Sequence, residues 1–117
     1  MQQSFLMSYN VETIPVFEKQ VKRLIRKYPS LKQELFTVVA QLQDNPFLGI
    51  SLGNSCYKIR IAIASKGKGK RGGARIVTHI VVSTTTVYLL NIFDKSNKET
   101  LTDSELEQLL QFIPTAE

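Results

Sequence analysis

Apolar positions recur along this chain with two periods. From Ser8 to Ile14, Tyr9 and Val11 alternate with Ser8, Asn10 and Glu12, which predicts a short strand. Pro15 then opens a helix, where its missing N–H costs nothing. Phe17, Val21, Leu24, Ile25 and Tyr28 recur at helical spacing and make one apolar stripe. Pro29 breaks that helix. Ser30 starts the next, with Gln33 at capping-box spacing, and Leu35, Val38, Val39 and Leu42 form its stripe before Asn45-Pro46 stops it. Two helices on so short a link predict an antiparallel hairpin that needs a sheet to lie on.

The second half switches to a period of two. Phe47 to Ser55 reads as an ordered loop, and Tyr57 to Ala64 as a strand. Tyr57, Ile59, Ile61 and Ile63 share one face of that strand; Lys58, Arg60, Ala62 and Ala64 share the other. Two cations followed by two small residues leave open space over the sheet. Ser65 to Gly73 is too polar and glycine-rich to pack, and predicts a mobile loop. Ala74 to Ser83 is the next strand, with Arg75, Val77, His79 and Val81 on one face. Ser83 to Thr86 turns, and Val87 to Phe93 is apolar almost throughout, as expected of a central strand covered on both sides. After a charged turn from Asp94 to Glu99, Thr102 caps a last helix with Glu105 at the capping-box position. Leu106, Leu109, Leu110 and Ile113 form its stripe, and Pro114 ends it.

The expected class is α+β: an antiparallel sheet in the order β-α-α-β-β-β-α, with an N-terminal helical hairpin on one face and a C-terminal helix. Residues 1–117 fit one domain by length, without internal repeats.

Charge sharpens this picture. No Asp or Glu occurs between Asp44 and Asp94, and that gap holds Lys58, Arg60, Lys66, Lys68, Lys70, Arg71 and Arg75. These seven exceed the net charge of +5, and the remaining eight basic residues are outnumbered by ten acidic ones. The positive field is therefore local, and it suggests an anionic partner, nucleic acid first. Lys19, Lys22, Arg23, Arg26 and Lys27 lie off the first helix's apolar stripe; they read as a solvated face, or else as an outer phosphate-contacting one.

Several chemistries drop out. A single cysteine, Cys56, excludes an internal disulfide and a four-cysteine zinc site, and no metal-ligand cluster or cofactor motif is visible. No signal peptide and no apolar run near 18 residues is seen, so a cytoplasmic setting without membrane contact is expected. The GKGKRGG loop lacks GxxxxGK[ST] and a following helix, so it is not a nucleotide-binding P-loop. His79 and Cys56 have no evident orienting third group. His79 reads as a half-buried strand residue, or as a base-stacking or proton-transfer group on the face of Arg75.

Lys58, Arg60 and Arg75 are the sharper constellation. All three sit on strands, and a hairpin through Ser65–Gly73 sets Arg75 beside Lys58 or Arg60. Fixed cations on a rigid sheet can hold a scissile phosphate and stabilise charge developing on it. Lys95, just past the third long strand, can close the same pocket.

The residues CYKIR, GGARIV and VYLLNIFDK, with the capped final helix, together resemble the RelE/HigB-like toxins of bacterial toxin–antitoxin modules, from about Tyr9 to Leu110. The resemblance implies a microbial-RNase-like RelE fold and a metal-independent endoribonuclease that cuts mRNA, typically on the ribosome, by attack of a ribose 2′-OH on the adjacent phosphate. It implies a cognate antitoxin as partner. Carried over by position, Lys58 and Arg60 match the lysine-rich strand that serves the 2′-OH, Arg75 the transition-state arginine, and Lys95 an arginine near the leaving group. Lys66, Lys68, Lys70 and Arg71 would contact RNA or ribosome. The family's C-terminal tyrosine is not matched, since Leu101 occupies that region, and His79 is the candidate substitute. ParE-like gyrase poisons share the fold, and a non-catalytic nucleic-acid binder is a third reading.

Overall fold

The computed structural model describes residues 8–67, 72–98 and 100–114. Five strands and three helices follow in the order β1 (Asn10–Thr13), α1 (Pro15–Lys27), α2 (Leu31–Asp44), β2 (Ile50–Gly53), β3 (Cys56–Ile61), β4 (Ala74–Val81), β5 (Thr86–Asp94) and α3 (Asp103–Leu110). They form one sheet in the order β1-β5-β4-β3-β2. The fold is the α+β arrangement the sequence predicts, with two additions.

The first addition is β2, where the sequence suggested a loop. It pairs antiparallel with β3, Ile50 opposite Lys58. The connecting Asn54 and Ser55 both take positive φ, 54° and 59°, the conformation that suits the twist of a two-residue hairpin. The strand is short and its side chains are mostly exposed, so it left no alternating apolar signature.

The second is that β1 runs parallel to β5, pairing Asn10 with Thr86 through Thr13 with Leu89; the rest of the sheet is antiparallel. A parallel neighbour needs a long crossover, and everything between β1 and β5 supplies it. Beyond Leu89 the edge of β5 has lost its β1 partner. There the Gln20 side-chain oxygen accepts the Ile92 N–H at 2.9 Å, so α1 closes the edge that β1 leaves open.

β5 is the central element. Every residue in it is buried except half-buried Tyr88. One face of the sheet, carrying Ile59, Ile76, Leu89 and Ile92, packs under the α1/α2 hairpin, where Phe17, Leu31 and Leu42 are fully buried. A bulge between Val77 and Thr78 leaves Leu90 without an opposite number. Consequently Tyr88, and not Leu89, stands beside His79.

The helix ends differ from each other. The Thr102–Glu105 capping box of α3 forms as expected. Ser30 makes no cap bond to α2. Its hydroxyl lies 2.8 Å from the Ser65 hydroxyl and accepts the Ser65 N–H at 3.0 Å. Glu34, one turn into α2, accepts the Ala64 N–H at 2.7 Å. Ser30, which the spacing assigned to a capping box with Gln33, instead joins Glu34 in tying α2 to the chain leaving β3.

Candidate functional site

The pairing of β3 with β4 and β5 sorts the polar face of the sheet into three rows, because residues directly opposite in an antiparallel pair share a face. Arg60 lies opposite Arg75, which lies opposite Phe93. One step along, Lys58 faces Val77 and Asn91. The next row holds Cys56, His79 and Tyr88. Sheet geometry sets Arg60 about 5 Å from Arg75 at Cβ and about 7 Å from Lys58, with Lys58 diagonal to both Arg75 and His79. The structure thus brings Lys58, Arg60 and Arg75 together on one face of the sheet, opposite to the face under the helical hairpin.

The three cations differ in access. Arg60 is exposed and Lys58 half-buried. A groove of about 520 Å³ runs between α2, which contributes Glu34, Thr37, Val38 and Gln41, and the β2/β3 edge, so it opens on the helical side of Lys58 and Arg60 and not over the Arg60–Arg75 row. Arg75 is only 3% exposed, and its guanidinium donates to the Ala74 carbonyl at 3.2 Å. Its side chain is thus enclosed by the protein, unlike those of Lys58 and Arg60. A change at Arg75 therefore touches packing as well as charge.

In the third row, Cys56 Sγ lies 3.4 Å from His79 Nδ1 and 3.5 Å from the Asn54 carbonyl. Burial pushes the Cys56 thiol up to about 11, so it is protonated at neutral pH and is no nucleophile. Burial also lowers the His79 pKa below 6.5, opposed by a hydrogen bond to the Asn54 backbone. Burial is the larger effect, so His79 leans to the neutral imidazole at pH 7, with Nδ1 beside the Cys56 thiol. Tyr88, which the sequence reading passed over, flanks it because of the bulge; alternation along β5 alone gives no sign of that neighbour.

The loop cations divide. Lys68, Lys70 and Arg71 lie outside the described residues. Lys66 does not project as a loop cation: it ends a 3₁₀ turn at Ala64–Lys66 and is buried in an ion pair with Asp94, the side chains 5% and 2% exposed. The Lys66 ammonium also reaches the Gly73 carbonyl at 3.5 Å and Ser96 Oγ at 3.1 Å. Tyr28 OH donates to the same carboxylate at 3.0 Å and the Ser96 N–H at 2.9 Å. Burial alone would raise the Asp94 pKa. The bonds from Lys66, Ser96 and Tyr28 and the ammonium charge outweigh it and hold the carboxyl at about 2. The Lys95 N–H donates to the Gly73 carbonyl at 3.1 Å, so the backbones of Lys95 and of the segment entering Arg75 are fastened together.

Among the described residues no group of three His, Cys, Asp or Glu could hold a metal ion, and no helix is long and apolar enough to cross a membrane. The chemistry available is phosphate binding by fixed cations beside a neutral imidazole.

Residues 15–115 match the family described as the RelE toxin of the RelE/RelB toxin–antitoxin system. The fold is similar to that of an arginine-to-alanine double mutant of the E. coli toxin RelE in its free state, with a TM-score of 0.60. That match covers 92% of this chain and 99% of the other at 13% sequence identity.

Proposed function

This chain belongs to the RelE toxin family, and from that premise we propose that it is the toxin of a toxin–antitoxin pair and acts as an endoribonuclease on mRNA engaged with the ribosome. The observation that supports this reading is the Arg60–Arg75 row with Lys58 one step along the same strand. Three strand-borne cations on one face are suited to an RNA phosphate whose charge rises during reaction.

In the reaction, the ribose 2′-oxygen forms a bond to the adjacent phosphorus as its proton leaves to a base. The bond from phosphorus to the 5′-oxygen breaks, and that oxygen takes up a proton. The products are a 2′,3′-cyclic phosphate and a 5′-hydroxyl end. Arg75, fixed at its base by the β3–β4–β5 ladder, is assigned to the phosphorane oxygens; a guanidinium grips two of them at once, which an ammonium does not. A preplaced donor of this kind stabilises the transition state more than the bound substrate. Arg60 holds the incoming phosphate. Lys58 orients the 2′-OH, the neutral His79 is its base, and Lys95 serves the leaving oxygen. Lys68, Lys70 and Arg71 supply contacts to RNA or ribosome.

The test is incubation of purified protein with mRNA-programmed ribosomes, followed by primer extension. Cleavage by wild type, with a loss of about 10²–10³ in rate for Arg75→Ala and partial recovery for Arg75→Lys, is the expected result. Because Arg75 is buried, each variant is compared by circular dichroism. Inhibition of gyrase supercoiling without mRNA cleavage would replace this reading with the gyrase-poison one.

A further inference from the structure

The buried ion pair of Lys66 and Asp94 takes no part in the proposed chemistry, yet it touches the backbone on both sides of it. Asp94 ends β5 directly before Lys95, and it stands opposite Ala74 in the ladder, one residue from Arg75. Its Oδ1 takes the Lys66 ammonium and the Ser96 N–H, the latter at 2.9 Å, and its Oδ2 accepts from Tyr28 OH at 3.0 Å. The Lys66 ammonium continues to the Gly73 carbonyl at 3.5 Å. That same carbonyl accepts the Lys95 N–H at 3.1 Å. These contacts close a ring: Asp94 to Lys66, Lys66 to Gly73, Gly73 to Lys95, and Lys95 back to Asp94 through one peptide bond. Gly73 is also wedged against the end of β3, since a Cβ there would lie 1.9 Å from the Ile61 carbonyl oxygen. The end of β3, the start of β4 and the end of β5 thus meet around one residue.

Such a ring does little for stability that a well-packed apolar pair would not do, because the attraction of two buried charges is largely offset by their desolvation. What it adds is direction. The carboxylate holds donors from three parts of the chain: Tyr28 after α1, Lys66 after β3 and Ser96 after β5. The Lys66 ammonium also sits 5.5 Å from the centre of the Tyr28 ring, so it is held from two sides. An ammonium on a four-carbon stem needs that restraint to stay on one carbonyl. In the proposed reaction Arg75 serves the phosphorane oxygens and Lys95 the leaving oxygen. Their spacing must therefore hold through the reaction, and a misplacement of about 1 Å can cost about 10² in rate. We propose that Asp94, acting through Lys66 and the Gly73 carbonyl, is a positioning residue that sets Arg75 and Lys95 at one fixed spacing for RNA cleavage. Resting on the nuclease reading for its reaction, this role keeps Asp94 out of contact with substrate: its side chain meets Tyr28 at the end of α1, on the face of the sheet away from Arg75.

Two variants of the full chain separate positioning from folding alone. Lys66→Met with Asp94→Leu removes both charges and fills their place with apolar side chains. Tyr28→Phe keeps the ring and deletes one donor. On mRNA-programmed ribosomes the paired variant is expected to lower kcat by about 10–10², with KM changed by less than about threefold. Tyr28→Phe is expected to lower kcat by about three- to tenfold, also at constant KM. A second readout is independent of cleavage: the Arg75 Nε–H signal in heteronuclear NMR, assigned by its loss in Arg75→Lys. Wild type is expected to show it as one sharp, slowly exchanging signal, and the paired variant as a broadened or faster-exchanging one. Wild-type kcat in both variants overturns the proposal, and if the paired variant does not fold, Tyr28→Phe decides alone. An Arg75 signal that neither variant alters overturns it too, as does a raised KM at unchanged kcat, which would make the pair a binding element. If wild type cuts no mRNA, the nuclease reading fails and takes the catalytic role of the ring with it, while the Arg75 signal still decides whether the ring positions that side chain.

Discussion

Arg60 on β3 and Arg75 on β4 stand directly opposite each other across an antiparallel pair. Like charges in that relation disfavour the sheet, by roughly 0.2–1 kcal/mol, so a sequence selected for stability alone would place another residue there. Arg60→Thr keeps a good strand former at an exposed position. It is expected to raise the thermal midpoint by about 2–4 °C while lowering mRNA cleavage by about 10²-fold. A lower midpoint with unchanged cleavage would mean that Arg60 serves the fold and not the reaction.

His79 sets the acid limb of activity if it acts as the base. Only the neutral imidazole accepts the 2′-OH proton, and burial lowers its pKa. Cleavage should therefore persist below pH 6.5 and decline only as His79 becomes protonated at still lower pH. His79→Asn should reduce the rate by about 10²–10⁴ and flatten that limb. A pH–rate profile of single-turnover cleavage decides it; an unchanged limb in the variant removes His79 from proton transfer.

The Lys66–Asp94 pair makes a separate prediction about stability. The Asp94 pKa is about 2 in the folded protein, below the ordinary unfolded value of about 3.9. A depressed carboxyl contributes stability above its unfolded pKa and loses it as pH falls through the folded one. The contribution, about 2 kcal/mol, should be complete at pH 7 and fade between about pH 4 and pH 2. Asp94→Asn strands a buried ammonium and should cost about 3–5 kcal/mol at pH 7, whereas Lys66→Met with Asp94→Leu should recover most of that. Urea unfolding at several pH values measures both.

Lys66 also divides the glycine-loop lysines by role. Substituting Lys68, Lys70 and Arg71 together by Ala is expected to weaken ribosome binding and to flatten its salt dependence by up to about three phosphate contacts, leaving unfolding unchanged. Lys66→Ala should do the reverse. Filter binding across a salt series, beside thermal unfolding, separates the two. A loop triple variant with the full salt slope would show that those charges face no phosphate.

Much of this was readable in advance because it depends on local patterning. Pro15, the helical stripes, the Thr102–Glu105 box and the alternation that sets Lys58 and Arg60 on one face act within a few residues of themselves. What escaped is set by distant partners. The burial of Arg75 depends on what covers its face. The pairing of Lys66 with Asp94 spans 28 residues and turns an apparent loop cation into a fastening. Tyr88 reaches His79 only because one strand carries an extra residue, and a period-two pattern does not report a bulge. β2 was missed for a different reason: an edge strand with exposed side chains carries little apolar signal, although Asn54-Ser55 was a usable turn cue.

The parallel pairing of β1 with β5 has a consequence in time. Asn10 is made long before its sheet neighbour, Thr86. At about 5–20 residues per second, roughly 4–15 s separate the two. Until Thr86–Asp94 emerges, β1 has no neighbour in the sheet and β4, which carries Arg75, lacks one of its two. Nascent chains arrested before Thr86 are therefore expected to be sensitive to protease and inert toward RNA; a protected fragment would contradict this. The order of synthesis would then act as a delay, keeping each growing copy harmless to the ribosome that is making it.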